Sequence, residues 1–130
     1  MKKKVLLIGW DAADWKVIHE LMDAGKMPAL QQMVERGSMG NPRTLTPPLS
    51  PMLWTLIATR KRPHKHAIYR FTEPTPSKDG VQPMTITSRS SKAIWKILNQ
   101  HDQRSLVVGW WPRHPAEPIN GVMVSDFFHK

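Results

Sequence analysis

The sequence contains no cysteine, which excludes both a disulfide framework and a thiolate metal site. Any bound metal ion must therefore be held by Asp, Glu, His or hydroxyl oxygen. No apolar run approaches the roughly 18 residues that a membrane-spanning helix needs. The apolar run at residues 5–10 is short and meets Asp11 directly, without the small-residue cleavage site of a signal peptide. These absences predict a cytoplasmic protein.

Acidic residues are scarce, since 10 Asp and Glu face 19 Lys and Arg and give a formal net charge of +9. Such a balance favours anionic partners, among them nucleic acid and phosphorylated substrates. Four of the cations lie close together, at Arg60, Lys61, Arg62 and Lys65. They predict weak binding of polyanions, and the alternative is an ordinary solvated loop. The excess of positive charge is also expected of one part of a longer protein whose other part is acidic.

Helical segments lie between buried apolar strands, which indicates an α/β fold with a layered sheet. We treat residues 1–130 as part of one domain, because no inner boundary or repeat interrupts them. Little of the chain remains to cover both faces of a three-stranded sheet, so we expect it to be a piece of a longer domain. The predicted strands are Lys4–Trp10, Ser105–Trp110 and Gly121–Ser125, and the predicted helices begin near Asp14, Pro28, Ser50 and Ser91.

Asp11 directly follows the first predicted strand. In open α/β sheets ligands gather at the carboxyl ends of strands, where a carboxylate is well placed to hold a hard cation. The alternative is that Asp11 or Asp14 caps the following helix by accepting hydrogen bonds from its free amides.

Ser50 precedes Pro51, and this pair is typical of a helix start with a hydroxyl N-cap and proline at the first helical position. A hydroxyl at that place meets free backbone N–H groups and the positive end of the helix dipole, which together favour phosphate binding. The same surroundings stabilise an alkoxide, so Ser50 is a candidate nucleophile. The alternative is a plain helix cap.

The histidines do not form a recognisable metal motif. His64 and His66 are two residues apart, but Pro63 before them favours a loop over a strand, so we do not predict them as ligands. His101 and His114 have no partner at metal-ligand spacing. The sequence also lacks a Walker-type phosphate loop, a GxGxxG motif and a paired His-Glu zinc motif.

Several segments together resemble one family. Residues 5–15 (VLLIGWDAADW) are similar to the opening strand of type I phosphodiesterases and nucleotide pyrophosphatases of the alkaline phosphatase superfamily, which ends in Gly-x-Asp. Residues 46–59 (TPPLSPMLWTLIAT) resemble their nucleophile segment, where Thr or Ser opens a helix. Residues 63–68 (PHKHAI) resemble the Pro-x-x-His-Gly-Ile that follows, and similarity continues through residues 93–111 and 118–126. Arg60 and Ala67 stand where the family usually has glycine.

The resemblance implies the N-terminal part of an alkaline-phosphatase-like three-layer sandwich with a mostly parallel sheet. The implied activity is metal-dependent hydrolysis of phosphodiesters or related phosphate esters, including nucleotide pyrophosphates. Two divalent ions, commonly zinc, flank the nucleophile in this family. Asp11 matches a metal ligand, and Ser50 matches the nucleophile, which also contacts metal.

The remaining Asp and His ligands of the family have no match in this sequence, since His101, His114 and His129 stand in other contexts. We therefore expect residues 1–130 to hold part of the metal site and to be inactive alone. Two alternatives stay open, namely a basic module that binds nucleic acid or another polyanion, and a non-catalytic fragment.

Overall fold

The structure, a computed structural model, describes residues 4–112 and 114–125. The chain forms two compact units, Met1–Arg43 and Thr44–Lys130. The described residues combine helices with two small sheets, so the predicted mixture of helix and strand is confirmed. None of the helices in these ranges has the length and apolar character that crossing a membrane requires.

Two helices make up the regular structure of the described part of the first unit, residues 4–43. Helix α1 spans Trp15–Asp23 and begins after Asp14, and helix α2 spans Pro28–Arg36 and begins with the proline that predicted it. Gly25 ends the first helix region with a φ of +68°, a left-handed conformation that glycine adopts without steric cost. Both helices therefore follow the start and stop signals of the sequence.

The segment Lys4–Trp10 is not the buried strand that its apolar run predicts. It belongs to neither helix nor strand, and its side chains are exposed, with Val5 at 91 % and Leu6 at 82 %. A strand needs a neighbour to accept and donate its backbone hydrogen bonds, and no other described segment of the first unit is a strand. The prediction of a buried strand is therefore wrong for this segment.

The second unit contains three α-helices among its described residues. Helix α3 spans Ser50–Thr59, helix α4 spans Pro63–His66 and helix α5 spans Ile94–Asn99. The short helix α4 replaces the loop predicted around the basic residues, because Pro63 sits at its first turn, where a missing N–H costs nothing. A 3₁₀ turn, Ile86–Ser88, precedes α5.

An antiparallel hairpin, which the sequence analysis does not predict, lies between α4 and α5. Strand β1, Thr72–Pro74, pairs with strand β2, Val81–Pro83. The turn is held by Asp79, whose carboxylate accepts hydrogen bonds from Thr75 and Ser77 at 2.7 and 2.6 Å. These hydroxyls lower the pKa of the Asp79 carboxyl.

The second sheet is a parallel pair, as an α/β fold predicts. Strand β3, Ser105–Val108, aligns with strand β4, Gly121–Val124, so that Ser105 lies opposite Gly121. Gly121 has a φ of +143°, and a Cβ there would lie 1.9 Å from the Ser105 carbonyl oxygen. Only glycine fits this close approach between the two strands.

The described core of the second unit joins α3, α5 and β3. Only one face of β3 packs on it, since Val107 is buried while Leu106 is 73 % exposed, so the predicted strand forms but is buried on one side. Trp95 and Trp110 meet edge to face with ring centroids 6.1 Å apart. The buried cluster consists of Ala58, Ala93, Trp95 and Val107, and Trp110, Ile119 and Met123 pack against it.

Candidate functional site

Asp11 lies in an exposed turn that leads into α1. Ala12 follows it with a φ of +55°, a left-handed conformation that turns the chain sharply toward the helix. The cap of α1 is Asp14, whose carboxylate accepts a hydrogen bond from the Lys16 amide at 2.8 Å. Of the two residues considered as caps, Asp14 is therefore the one that caps α1. The Asp11 carboxylate forms no hydrogen bond or ion pair with the part of the chain that the structure describes.

Ser50 is the first residue of α3, and Leu49 occupies the cap position, one residue earlier than predicted. No side chain caps this helix, so the half-buried Ser50 hydroxyl is not used in capping. Pro51 has no N–H, and the Leu53 amide donates to the Leu49 carbonyl at 3.0 Å. The amides of Ser50 and Met52 are thus the donors that the first turn leaves without a helical partner.

Buried threonines fix the remainder of α3. The Thr55 hydroxyl donates to the Pro51 carbonyl and the Thr59 hydroxyl to the Thr55 carbonyl, both at 2.7 Å. The indole N–H of Trp110 donates to the carbonyl of Trp54 at 3.2 Å, which ties the helix to the core. Because Pro51 is itself fully buried, the N-terminal turn that presents Ser50 is anchored.

The segment after α3 has the left-handed backbone conformation that glycine favours, at two positions. Arg60 and Ala67 have φ values of +54° and +66°, at the two positions where the resemblance expects glycine. Each ends a helix through its own amide, which donates to Leu56 and Pro63 carbonyls respectively. Left-handed residues with a Cβ cost about 1–2 kcal/mol each. Arg60 and Ala67 therefore keep the left-handed turns that glycine would form, at a cost in folding free energy.

His66 is fully buried at the end of α4, which the sequence did not predict. Its Nδ1 accepts a hydrogen bond from the Ile68 amide at 3.1 Å, so the neutral ring carries its proton on Nε2. Nε2 has no hydrogen-bond partner among the described residues. Burial lowers the pKa of His66, a hydrogen bond with the His66 backbone partly opposes this, and the electrostatic effect of Arg89 and His64 lowers the pKa further.

Acid is expected to destabilise the second unit through His66. Because the folded pKa is depressed, the unfolded chain binds the extra proton first, and stability falls as the pH drops below about 6.5. The slope is at most about 1.4 kcal/mol per pH unit for one proton. Urea unfolding between pH 8 and pH 5 measures it. His66→Gln should flatten the profile, whereas replacing the exposed His101 should not; equal slopes in both variants would contradict this role.

The basic cluster consists of the four cations Arg60, Lys61, Arg62 and Lys65, and the structure exposes all four. Arg60 ends α3 and Arg62 is the cap of α4. No acidic residue that the structure describes forms an ion pair with them. Their exposure suits contact with a polyanion, which stays a prediction.

The described residues do not complete a metal site. Among residues 4–112 and 114–125, no group of three or more His, Asp or Glu side chains could hold a metal ion. Asp11 belongs to the first unit and Ser50 to the second. Asp126, at the end of the last segment of the resemblance, lies outside the described residues. The described donors are therefore too few to hold the two ions that the resemblance implies.

Comparison with known families relates the sequence to phosphate-ester chemistry. The sequence profile of the type I phosphodiesterase / nucleotide pyrophosphatase family matches residues 5–127. Comparisons with curated proteins and with solved structures gave no match. The matched range includes Asp11, the nucleophile-like start of α3 and both strands of the parallel pair, and it covers nearly the whole chain. The chain therefore belongs to the type I phosphodiesterase/nucleotide pyrophosphatase family, a family of hydrolases.

Proposed function

We propose that the protein hydrolyses phosphodiesters or related phosphate esters in a metal-dependent reaction, with Ser50 as the nucleophile. The family match over residues 5–127 is the observation on which this rests. The position of Ser50 supports this proposal, because Ser50 is the first residue of α3 and its hydroxyl does not cap the helix. The capping explanation, which was the main alternative for this residue, has no hydrogen bond in its favour.

The proposed reaction has two displacements at phosphorus. The Ser50 oxygen attacks and loses its proton, a P–O bond forms, and the bond to the leaving ester oxygen breaks as that oxygen takes up a proton. Water then attacks the phosphorus of the ester on Ser50, the bond to the Ser50 oxygen breaks as that oxygen takes up a proton from the water, and the phosphate product leaves. The amides of Ser50 and Met52 and the dipole of the ten-residue helix α3 favour the negative charge that develops there.

The proposed cofactors are two divalent ions, with zinc as the first candidate, and Asp11 and Ser50 are their proposed ligands from this sequence. Two oxygen ligands cannot hold two zinc ions, which take about four ligands each. We therefore propose that residues 1–130 form the N-terminal part of an alkaline-phosphatase-like three-layer domain, with the other ligands elsewhere in the protein.

Asp11→Asn is expected to weaken zinc binding by the complete gene product at least about 10- to 100-fold, which is the loss that removing even an outer partner of a metal ligand causes. The reason is that an amide oxygen lacks the charge that a divalent ion prefers. Calorimetric titration with Zn²⁺ measures the affinity, and hydrolysis of a chromogenic phosphodiester should fall in parallel and stop with EDTA.

Asp14→Asn is the matched control, because it removes a carboxylate three residues away and asparagine still caps α1. Unchanged zinc affinity in Asp11→Asn, or an equal loss in both variants, would remove Asp11 from the ligand set. Residues 1–130 alone should show little turnover; zinc-dependent turnover by them would contradict the proposed division of the site.

A second candidate function is binding of nucleic acid or another polyanion. The observation in its favour is the exposed basic cluster in a chain with a net charge of +9. Its signature would be an affinity that falls steeply with salt, since each neutralised phosphate releases a counterion. Hydrolysis that depends on Ser50 would not have that signature.

A further inference from the structure

Asn120 and Gly121, at the start of β4, form the one Asn-Gly step of the sequence, and both residues are exposed. The backbone nitrogen that follows an asparagine is close enough in the chain to attack the side-chain amide carbon and close a succinimide ring. Glycine has no Cβ to crowd this ring closure, whereas any other residue at the second position has one. The step therefore carries a reactive pair of groups in an open place.

The attacking nitrogen, the Gly121 amide, is not used by the parallel sheet. The Ser105 amide donates to the Asn120 carbonyl at 2.9 Å, and Ser105 lies directly opposite Gly121. In a parallel ladder a residue bonded in this way joins the two neighbours of the residue opposite, whose own N–H and C=O face the other side. The Gly121 N–H therefore points away from β3. Among the described residues, β3 is the only strand that pairs with β4.

The other two asparagines lack this combination. Asn41 precedes Pro42, which has no N–H to act as the nucleophile. Asn99 is half-buried at the end of α5, and the amide of Gln100 donates to two carbonyls of that helix, at 3.1 and 3.3 Å. Asn99 is thus an internal comparison for Asn120, with the same side chain and an engaged neighbour.

The Asp79-Gly80 step in the hairpin turn is the other place where a short acidic or amide side chain precedes glycine. The Gly80 amide donates to the Thr75 hydroxyl at 3.1 Å, so it is held away from ring closure. The hydroxyls of Ser77 and Thr75 lower the pKa of Asp79, which keeps it ionised, and a carboxylate offers no leaving group. The turn is therefore protected where the start of β4 is not.

We propose that Asn120 is a site of spontaneous conversion to isoaspartate, and that this conversion releases β4 from β3. The Gly121 nitrogen bonds to the Asn120 Cγ, the Cγ–Nδ2 bond breaks, and the leaving nitrogen takes up the Gly121 amide proton, so that ammonia departs. Water then attacks the main-chain carbonyl carbon of Asn120. The bond from that carbon to the Gly121 nitrogen breaks, the nitrogen takes up a proton, and the carbon becomes a carboxylate. Attack of water at Cγ instead gives aspartate.

Isoaspartate at this position does not fit the observed strand pairing. The backbone then runs through the former side chain and gains one carbon atom before Gly121, and the carbonyl that accepts from Ser105 becomes a carboxylate. The two strands approach so closely here that a Cβ on Gly121 would lie 1.9 Å from the Ser105 carbonyl oxygen. Met123, which packs against the buried cluster, follows on the same strand. A displaced β4 therefore also loses contact with the core.

The test is incubation of the 130-residue chain in mildly alkaline buffer without denaturant, followed by peptide mass spectrometry that separates asparagine, aspartate and isoaspartate. Asn120 should convert about 5- to 30-fold faster than Asn99, the rate ratio expected when a Cβ crowds the attacking residue. Asn120→Gln should stop the reaction at this position, because its longer side chain closes a larger ring more slowly. Equal rates at Asn120 and Asn99 would overturn the site.

Two further measurements separate the roles of the fold and of the product. The rate at Asn120 should be similar in unfolding concentrations of urea, and conversion that occurs only in urea would refute the argument from the outward-facing Gly121 amide. Asn120→Asp, measured when freshly purified, adds the charge without the extra backbone atom. The isoaspartyl chain should unfold at a lower urea concentration than this variant, and equal midpoints would refute the release of β4.

Discussion

Ser50→Ala is expected to reduce hydrolysis of a phosphodiester by the complete gene product at least about 10³-fold, because removing a covalent nucleophile leaves only binding and charge stabilisation to act. The change removes one oxygen atom from the first turn of α3. That oxygen makes no cap hydrogen bond, so the loss of activity should come without a loss of fold. Initial rates with a chromogenic diester, at saturating zinc, measure the effect.

Ser50→Thr is the matched variant, since it keeps a hydroxyl at the same helical position and the family uses either residue there. It should retain activity that Ser50→Ala lacks. Both variants should unfold within about 1 kcal/mol of the unmodified protein, because the half-buried Ser50 hydroxyl makes no cap hydrogen bond that the change would remove. This pairing separates a chemical role of the oxygen from any structural role of the side chain.

Turnover that persists in Ser50→Ala would exclude Ser50 as the nucleophile while leaving the family membership intact. Absence of turnover in the unmodified gene product with zinc and with manganese would instead contradict the proposed hydrolysis and favour the non-catalytic alternative.

Local signals in the sequence were sufficient for most helices and for the two strands of the second sheet, whereas their parallel pairing was implied only by the family resemblance. Pro28 begins α2, and Gly25 follows α1 in the left-handed conformation, because these residues have backbone preferences that act without distant partners. The strands Ser105–Val108 and Gly121–Val124 were likewise predictable from short apolar runs. Their exposed face was not, since periodicity does not reveal which side of a strand will be covered.

Features that depend on residues far apart in the sequence could not be predicted from local sequence patterns. The run Lys4–Trp10 has the composition of a buried strand, yet composition cannot supply the neighbouring strand that such a segment needs. His66 sits in a run of cations that looks solvent-exposed, yet the structure buries it at the end of α4. The Arg89–Glu117 pair joins residues 28 positions apart and has no local signature.

The sequence was sufficient to predict which two residues, Asp11 and Ser50, belong to the candidate site. It was not sufficient to predict their backbone positions or hydrogen bonds. The sequence left capping open for both residues, and the structure assigns the cap of α1 to Asp14 and the cap position of α3 to Leu49. Neither Asp11 nor Ser50 is therefore used to hold its helix. Metal binding by Asp11 and nucleophilic attack by Ser50 are proposals, and the structure excludes helix capping as the alternative explanation for either residue.

Trp95→Ala is expected to destabilise the second unit by about 3–5 kcal/mol, the usual cost of deleting a large aromatic side chain from a core. Trp95 is 3 % exposed, packs edge to face on Trp110 and lies beneath the Arg89 guanidinium. Its loss also takes one donor from the Glu117 carboxylate. Since domains are stable by only about 5–15 kcal/mol, this change should remove a large share of the unit's stability. Urea midpoints from the amide resonances of β3 and β4 measure the change.

Trp95→Phe and Ile94→Ala divide this effect into its causes. Phenylalanine keeps most of the buried ring but not the N–H, so the expected loss is about 1.5–3 kcal/mol, the worth of a hydrogen bond to a charged group. Ile94, the preceding residue on α5, is 47 % exposed, and its truncation should cost much less. If Trp95→Ala cost no more than Ile94→Ala, the core would not be centred on this indole. If Phe and Ala cost the same, the bond to Glu117 rather than packing would hold α5 in place.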